Sequence, residues 1–212
     1  MARVKNEEVR KAILEAAGQQ FQQKGYIATT ISSIAKAAGI SQSNVYVYFA
    51  SKIEIAFAVF DPWLRDRIGA LEYRVMAEET SEARLKTLVK GLLHDIAADR
   101  SGQTLTLVQA LATARPTDAY SPELLNWTLS RLHAMIGASL PDSTPDQRQA
   151  VTHALILAFD GIALRQNLRR TDLDEDQSVA SLLSLVWLHT GSSAMPDAQV
   201  PAAPQRASKA GS

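Results

Sequence analysis

Gln42, Asn44 and Val47 crowd into one short segment, and each is a side chain able to distinguish DNA base pairs. The carboxamides of Gln and Asn can make paired hydrogen bonds to adenine N6 and N7, and a valine methyl can rest on the thymine methyl. Tyr46, Tyr48, Thr30 and Lys52 carry hydroxyl or ammonium groups that suit phosphate oxygens, contacts that position a protein on a duplex without reading it. Ser32, Ser41 and Ser43 complete the polar set expected at this surface. The chemistry on offer is recognition, not bond-making. Lys52, in the first turn of a helix, opposes the macrodipole slightly, and a nearby phosphate would reverse that cost.

Such residues read DNA only if short helices present them. Ile31, Ile34, Ala35 and Ala38 fall at i, i+3, i+4 and i+7, one helical face. Thr30 stands where its hydroxyl can cap that helix, Gly39 where a left-handed residue ends it, and Ser41 where the next helix, 42–48, needs a cap. Two short helices around a tight turn make a helix-turn-helix. Val45 and Phe49 face inward, leaving Gln42, Ser43, Asn44, Val47 and Tyr48 outside. Upstream, Val9, Ile13, Ala16, Ala17 and Phe21 form a first helical stripe that Gly25 closes. Downstream, Ser51 and Glu54 make a capping box that opens a fourth helix at Lys52.

These residues resemble the tetracycline-repressor-type (TetR) family of bacterial one-component regulators. The match rests on Ile13, Ala16, Ala17, Phe21, Gly25, Thr29, Thr30, Ile34, Ala35, Ala38, Gly39, Ile40, Ser41, Val45, Tyr46, Phe49, Ser51 and Lys52, and spans about residues 8–55. Ser43 stands where the family commonly has Gly, and Val47 where a larger polar or aromatic residue is frequent. Both lie on the reading surface, so they bear on which operator is bound. The resemblance implies an all-α fold, dimerisation through the last two helices and a ligand-binding C-terminal domain.

The chain of 212 residues is long enough to bury a core without staples. It holds no cysteine, which removes disulfides and thiolate chemistry and suits a cytoplasmic address. No apolar run is long enough for a membrane span, and the N-terminus lacks an apolar signal core. Net charge is zero, but residues 1–55 hold seven Lys and Arg against four Glu, a net +3, the sign a DNA-facing domain needs. His94, His133, His153 and His189 are scattered without metal-ligand spacing, and no glycine-rich phosphate loop or nucleophile elbow occurs. No enzymatic activity, metal or cofactor is therefore expected.

The remaining sequence predicts helices only. The fourth runs from Lys52 to about Ala77, kinking at Pro62 or restarting there with Asp61 as cap. A fifth follows from Ser81 to about Ala98 and a sixth from about Thr104 to Ala114. A seventh runs from Ser121-Pro122-Glu123 to about Leu140. An eighth runs from the Thr144–Gln147 capping box to about Arg169, and a ninth from about Asp174 to His189. The expected division is 1–51 as a helix-turn-helix DNA-binding domain, 52–190 as a ligand-binding and dimerisation domain, and 191–212 as a Pro- and Ala-rich disordered tail. Arg3 and Lys5 lie in an N-terminal arm within reach of a minor groove or simply frayed.

The last two helices are apolar nearly all round, so one face packs on the bundle and the other needs a second chain. Leu155, Phe159, Ile162, Leu183, Val186 and Trp187 are the expected dimer interface. A ligand pocket is expected among helices four to eight. Its candidate lining is Phe60, Trp63, Leu64, Arg67, Leu92, Thr106, Gln109, Ala110, Thr113 and Trp127, with Trp63 and Trp127 clamping an apolar effector. Asp160, in an apolar stretch, needs a partner, for which Arg165 or a neighbouring helix terminus serves. Pro62 is a candidate hinge between pocket and reader. The combined expectation is a homodimeric, ligand-responsive repressor on a palindromic operator. An activator or ligand-independent regulator on the same fold is the alternative, and a helical enzyme or small-molecule carrier with a vestigial DNA-binding domain a more distant one.

Overall fold

Side-chain caps mark the starts of the first five helices and of the eighth. The computed structural model describes residues 6–165 and 175–191. The arm with Arg3 and Lys5, the expected helix ends at Arg169 and Asp174, and the tail from 192 lie outside them. Helix α1 (Glu7–Ala28) begins where the Asn6 side chain accepts the Glu8 N–H at 2.9 Å. Gly25 takes φ +75°, a left-handed conformation costly for other residues, and kinks the helix before Tyr26. Helix α2 (Ile31–Ala37) opens on a reciprocal box: the Thr30 hydroxyl accepts the Ser33 N–H, and the Ser33 hydroxyl accepts the Thr30 N–H. Gly39, at φ +68°, supplies the turn. Ser41 caps α3 (Gln42–Tyr48) by accepting the Asn44 N–H at 3.2 Å.

Helix α4 (Lys52–Ala77) opens on Ser51, which accepts the Glu54 N–H; the Glu54 carboxylate accepts the N–H of Ala50, one residue earlier than a standard box. The helix runs through Pro62 without restarting. Asp61 is not a cap; its carboxylate holds Arg65 at 2.9 Å. Proline leaves the Ala58 carbonyl without its helical donor, but Phe57, Phe60, Leu64 and Ile68 are buried along the flanking turns and hold the helix together.

Helix α5 (Ser81–Lys90) opens at Ser81 as expected, with Thr80 as its cap. It then widens into a π-helix, Gly91–Ala97, where an α-helix to residue 98 was expected. Gly91 lies so close to α4 that a methyl group there would collide with Leu71. Asp99 accepts the Ser101 hydroxyl and the Gln103 N–H and turns the chain into α6 (Gln103–Ala112). Then come α7 (Glu123–Ser139), α8 (Pro145–Arg165), opened by the expected Thr144–Gln147 box, and α9 (Glu175–Thr190). No strand occurs among the described residues.

Helix α1 packs on α2, α4 and α6, while α4 also runs beside α5 and α7. Helix α8 covers α6, α7 and the π-helix, and α9 lies mainly on α5. One apolar core extends from Ile13 to Trp187 with no break at the start of α4.

The inward and outward faces of α8 and α9 differ from expectation. Leu155, Leu183, Val186 and Trp187 are buried in their own chain, and Phe159 and Ile162 are half-buried against the same core. Leu155, Leu183, Val186 and Trp187 thus present little surface to a second chain, while Phe159 and Ile162 keep part of theirs. A helix apolar all round leaves the phase of its inward stripe undetermined, and the bundle takes the stripe containing these residues. Leu157, Leu164, Leu185 and Leu188 face outward instead, at 72%, 50%, 62% and 70% exposure.

Candidate nucleic-acid interface and interior cavity

On α3, successive residues turn by about 100°, so Gln42, Ser43, Tyr46 and Val47 share one arc. All four are exposed. Val45 is fully buried on the opposite side, and Asn44 and Tyr48 flank it half-buried. Tyr48 moreover accepts the Asn6 N–H at 3.2 Å, which ties α3 to the start of α1. Asn44 and Tyr48 therefore sit on the inner flank of the helix, not on its open face. Thr30 and Ser41 are exposed but engaged as caps, Ser41 also sharing a 3.0 Å hydrogen bond with Ser43. Ser32 is exposed. Lys36, exposed on the last turn of α2, adds a cation at this end of the molecule that was absent from the expected set. A basic residue that also suits a helix C-terminus carries no separate signal.

Lys52 is placed differently from a free phosphate ligand. Its ammonium donates to the carbonyls of Tyr26 and Thr29, both at 2.9 Å, and lies 4.0 Å from the Tyr26 ring centroid. It thus adds a second donor to the Tyr26 carbonyl, which also accepts the Thr29 N–H at 3.2 Å, and reaches the Thr29 carbonyl just past the end of α1; partial burial lowers its pKa from the ordinary lysine value. Burial, and then the Asp118 carboxylate, push the Tyr26 phenol up to about 12. Replacing Lys52 with alanine is expected to cost about 2 kcal/mol of stability, from two charge-assisted hydrogen bonds and the ring contact. Urea denaturation checks this, and an unchanged midpoint would show that the lysine serves DNA alone.

The reading unit is also tied to the loop between α6 and α7. Ser51 donates to the Ala119 carbonyl at 2.6 Å, and Phe57 meets Tyr120 edge-on at 5.2 Å. Tyr26 faces Thr113 and Asp118. The loop between α6 and α7 is therefore fastened to both ends of the helix-turn-helix.

Inside the bundle is an apolar cavity of about 260 Å³. Leu64 and Ile68 of α4, Leu92 and Ile96 of the π-helix, and Leu107 of α6 form one side. Leu125, Leu129 and Leu132 of α7 face them, and Ile156, Phe159 and Asp160 of α8 close it. Of the candidate pocket residues, only Leu64 and Leu92 are here. Phe60, Thr106 and Gln109 line a separate cleft between α1 and α6. Ala110 is core, Arg67 and Thr113 are exposed, and Trp63 is half-buried with an indole N–H that finds no partner among the described residues.

Trp127 does not pair with Trp63 across a ligand. Arg65 and Arg131 lie 4.7 and 5.6 Å from its ring centroid, so cations from α4 and α7 occupy the ring. Arg165 does not pair with Asp160; it is exposed on the last turn of α8.

Comparison with known proteins places this architecture. The model of bacterial regulatory proteins of the tetR family matches residues 13–59. An HTH-type transcriptional regulator of Mycobacterium bovis is 31% identical over 172 residues, 80% of this chain and 80% of that protein. The chain belongs to the TetR family. A further relative, the HTH-type transcriptional regulator BetI of Rhizobium meliloti, is 26% identical over 85% of this chain and 88% of its own length. Among solved structures, the regulator FadR of Bacillus subtilis, determined in complex with stearoyl-CoA, shares the fold with a TM-score of 0.55 at 18% identity. That match covers 84% of this chain and 97% of FadR. As a TetR-family member the protein is a transcriptional regulator with an N-terminal helix-turn-helix and a helical C-terminal domain. No helix among the described residues is long and apolar enough to cross a membrane.

Proposed function

We propose that this TetR-type regulator is a ligand-responsive repressor that binds a palindromic operator as a homodimer. The observation that carries the reading is the open arc of α3, where Gln42, Ser43, Tyr46 and Val47 project together from a capped helix in the family's DNA-binding unit. Residues 1–51 act as the reader, and 52–190 hold the effector site and the dimer contact. The outward leucines of α8 and α9 support pairing: Leu157 and Leu164 on α8, and Leu185 and Leu188 on α9, are exposed apolar side chains that a second copy would cover. Such a dimer presents two α3 helices to successive turns of one DNA face.

The apolar cavity is the effector site in this reading. Helices α6 and α7 both line it, and the loop that joins them grips Ser51 and faces Tyr26. A ligand that shifts α6 against α7 would move that loop and tilt the reader. Couplings of this kind are typically about 1–3 kcal/mol, on the order of 5–150-fold in affinity. Pro62 lies outside this route but within α4, and remains the candidate hinge.

Quantitative footprinting on operator variants tests the reading residues. Gln42→Ala is expected to relax preference at one base pair of each half-site by about 1–3 kcal/mol. Asn44→Ala should change it less, because its side chain is half-buried. Equal losses on random DNA would assign Gln42 to the backbone instead.

A further inference from the structure

The interior cavity is almost entirely hydrocarbon, with a single carboxylate in its wall. Asp160 lies on α8, one turn beyond Ile156 and next to Phe159. No Lys, Arg or His lines the cavity among the described residues. Asp160 forms no hydrogen bond or ion pair with any of them. The other polar lining group, Thr128, already donates its hydroxyl to the Leu124 carbonyl at 2.9 Å. Partial burial raises the Asp160 carboxyl above the usual carboxylate range, and no counter-charge stands beside it among the described residues. A carboxylate in such surroundings is stabilised by whatever cation reaches it.

We infer that the cavity takes a small apolar organic cation, an alkyl- or arylammonium. Its charge pairs with Asp160, while its hydrocarbon fills the space between Leu64 and Ile68 of α4 and the leucines of α7. The inference rests on reading the cavity as the effector site. The volume, about 260 Å³, falls below the roughly 300–1,000 Å³ of drug-sized sites, which favours a short chain with a compact head. A fatty carboxylate would bring like charges together against a hydrocarbon wall, where repulsion is less screened than in open water.

Isothermal titration calorimetry with three probes of similar size tests this: octyltrimethylammonium, 1-decanol and decanoate. The quaternary ammonium keeps its charge at every pH. It is expected to bind saturably and at least about tenfold tighter than the other two, as a charge-assisted contact requires. Asp160→Asn, nearly identical in shape, should reduce its affinity to that of decanol, with an unchanged melting temperature showing that the variant is folded. If that variant does not fold, the ranking of the three probes on the parent protein still decides. Decanol or decanoate binding as tightly as the ammonium would overturn the inference and leave the effector cavity standing. No binding by any probe would overturn both.

Discussion

Glutamate at both Leu157 and Leu188 is expected to give a folded monomer that holds operator DNA on the order of 10²–10⁴-fold more weakly than the parent, because two linked readers become one. Both leucines lie on the outward face, at 72% and 70% exposure, so neither substitution disturbs the chain's own core. Each would place a charge in a contact that must otherwise be dry. The inward face supplies the contrast: Leu183→Glu would bury an unpaired charge and unfold the protein. Sedimentation velocity, a thermal melt and a DNA titration on the same preparations separate these effects. A double variant that still sediments as a dimer would move the interface elsewhere.

The second large effect is in the joint between reader and bundle. Phe21 is 2% exposed and lies 5.6 Å from the Tyr26 ring and 6.0 Å from the Phe60 ring. Phe21→Ala is expected to cost about 3–5 kcal/mol, the range for removing a large aromatic from a core that cannot collapse. Because Phe60 belongs to α4 and Tyr26 receives Lys52, the void would open where the helix-turn-helix is held in place. Operator affinity should fall with stability. Denaturant unfolding measures the cost, and a loss below about 1 kcal/mol would mean that the rings contribute little to the joint.

The helix-turn-helix is legible in the sequence because its signals are local. Thr30, Gly39 and Ser41 each act within a turn of their own position, and the structure uses all three as caps or turn. The inner flank of α3 is not legible. A helix of seven residues leaves its phase to the neighbour it packs on, and Tyr48 turns toward Asn6. Lys52 has the look of a phosphate ligand because the carbonyls it satisfies, on Tyr26 and Thr29, lie far from it in sequence.

The cavity lining is hidden for a related reason. Aromatic residues draw attention in a sequence, but Trp127 is occupied by Arg65 and Arg131 from two helices. The actual lining is mostly leucine and isoleucine, which no local pattern separates from ordinary core. Asp160 is the one visible sign, a carboxylate set among apolar residues. The π-helix leaves no local sign; the close approach of Gly91, its first residue, to Leu71 lies across the bundle, out of reach of a local pattern.

The central claim is that the exposed arc of α3 reads DNA. Fluorescence anisotropy with the gene's own upstream intergenic fragment, against calf-thymus competitor at moderate ionic strength, tests it most directly. The account predicts retained binding to the fragment under excess competitor, and loss of that preference in a Gln42→Ala, Val47→Ala double variant that melts like the parent. Equal binding to fragment and competitor by the parent protein would contradict it.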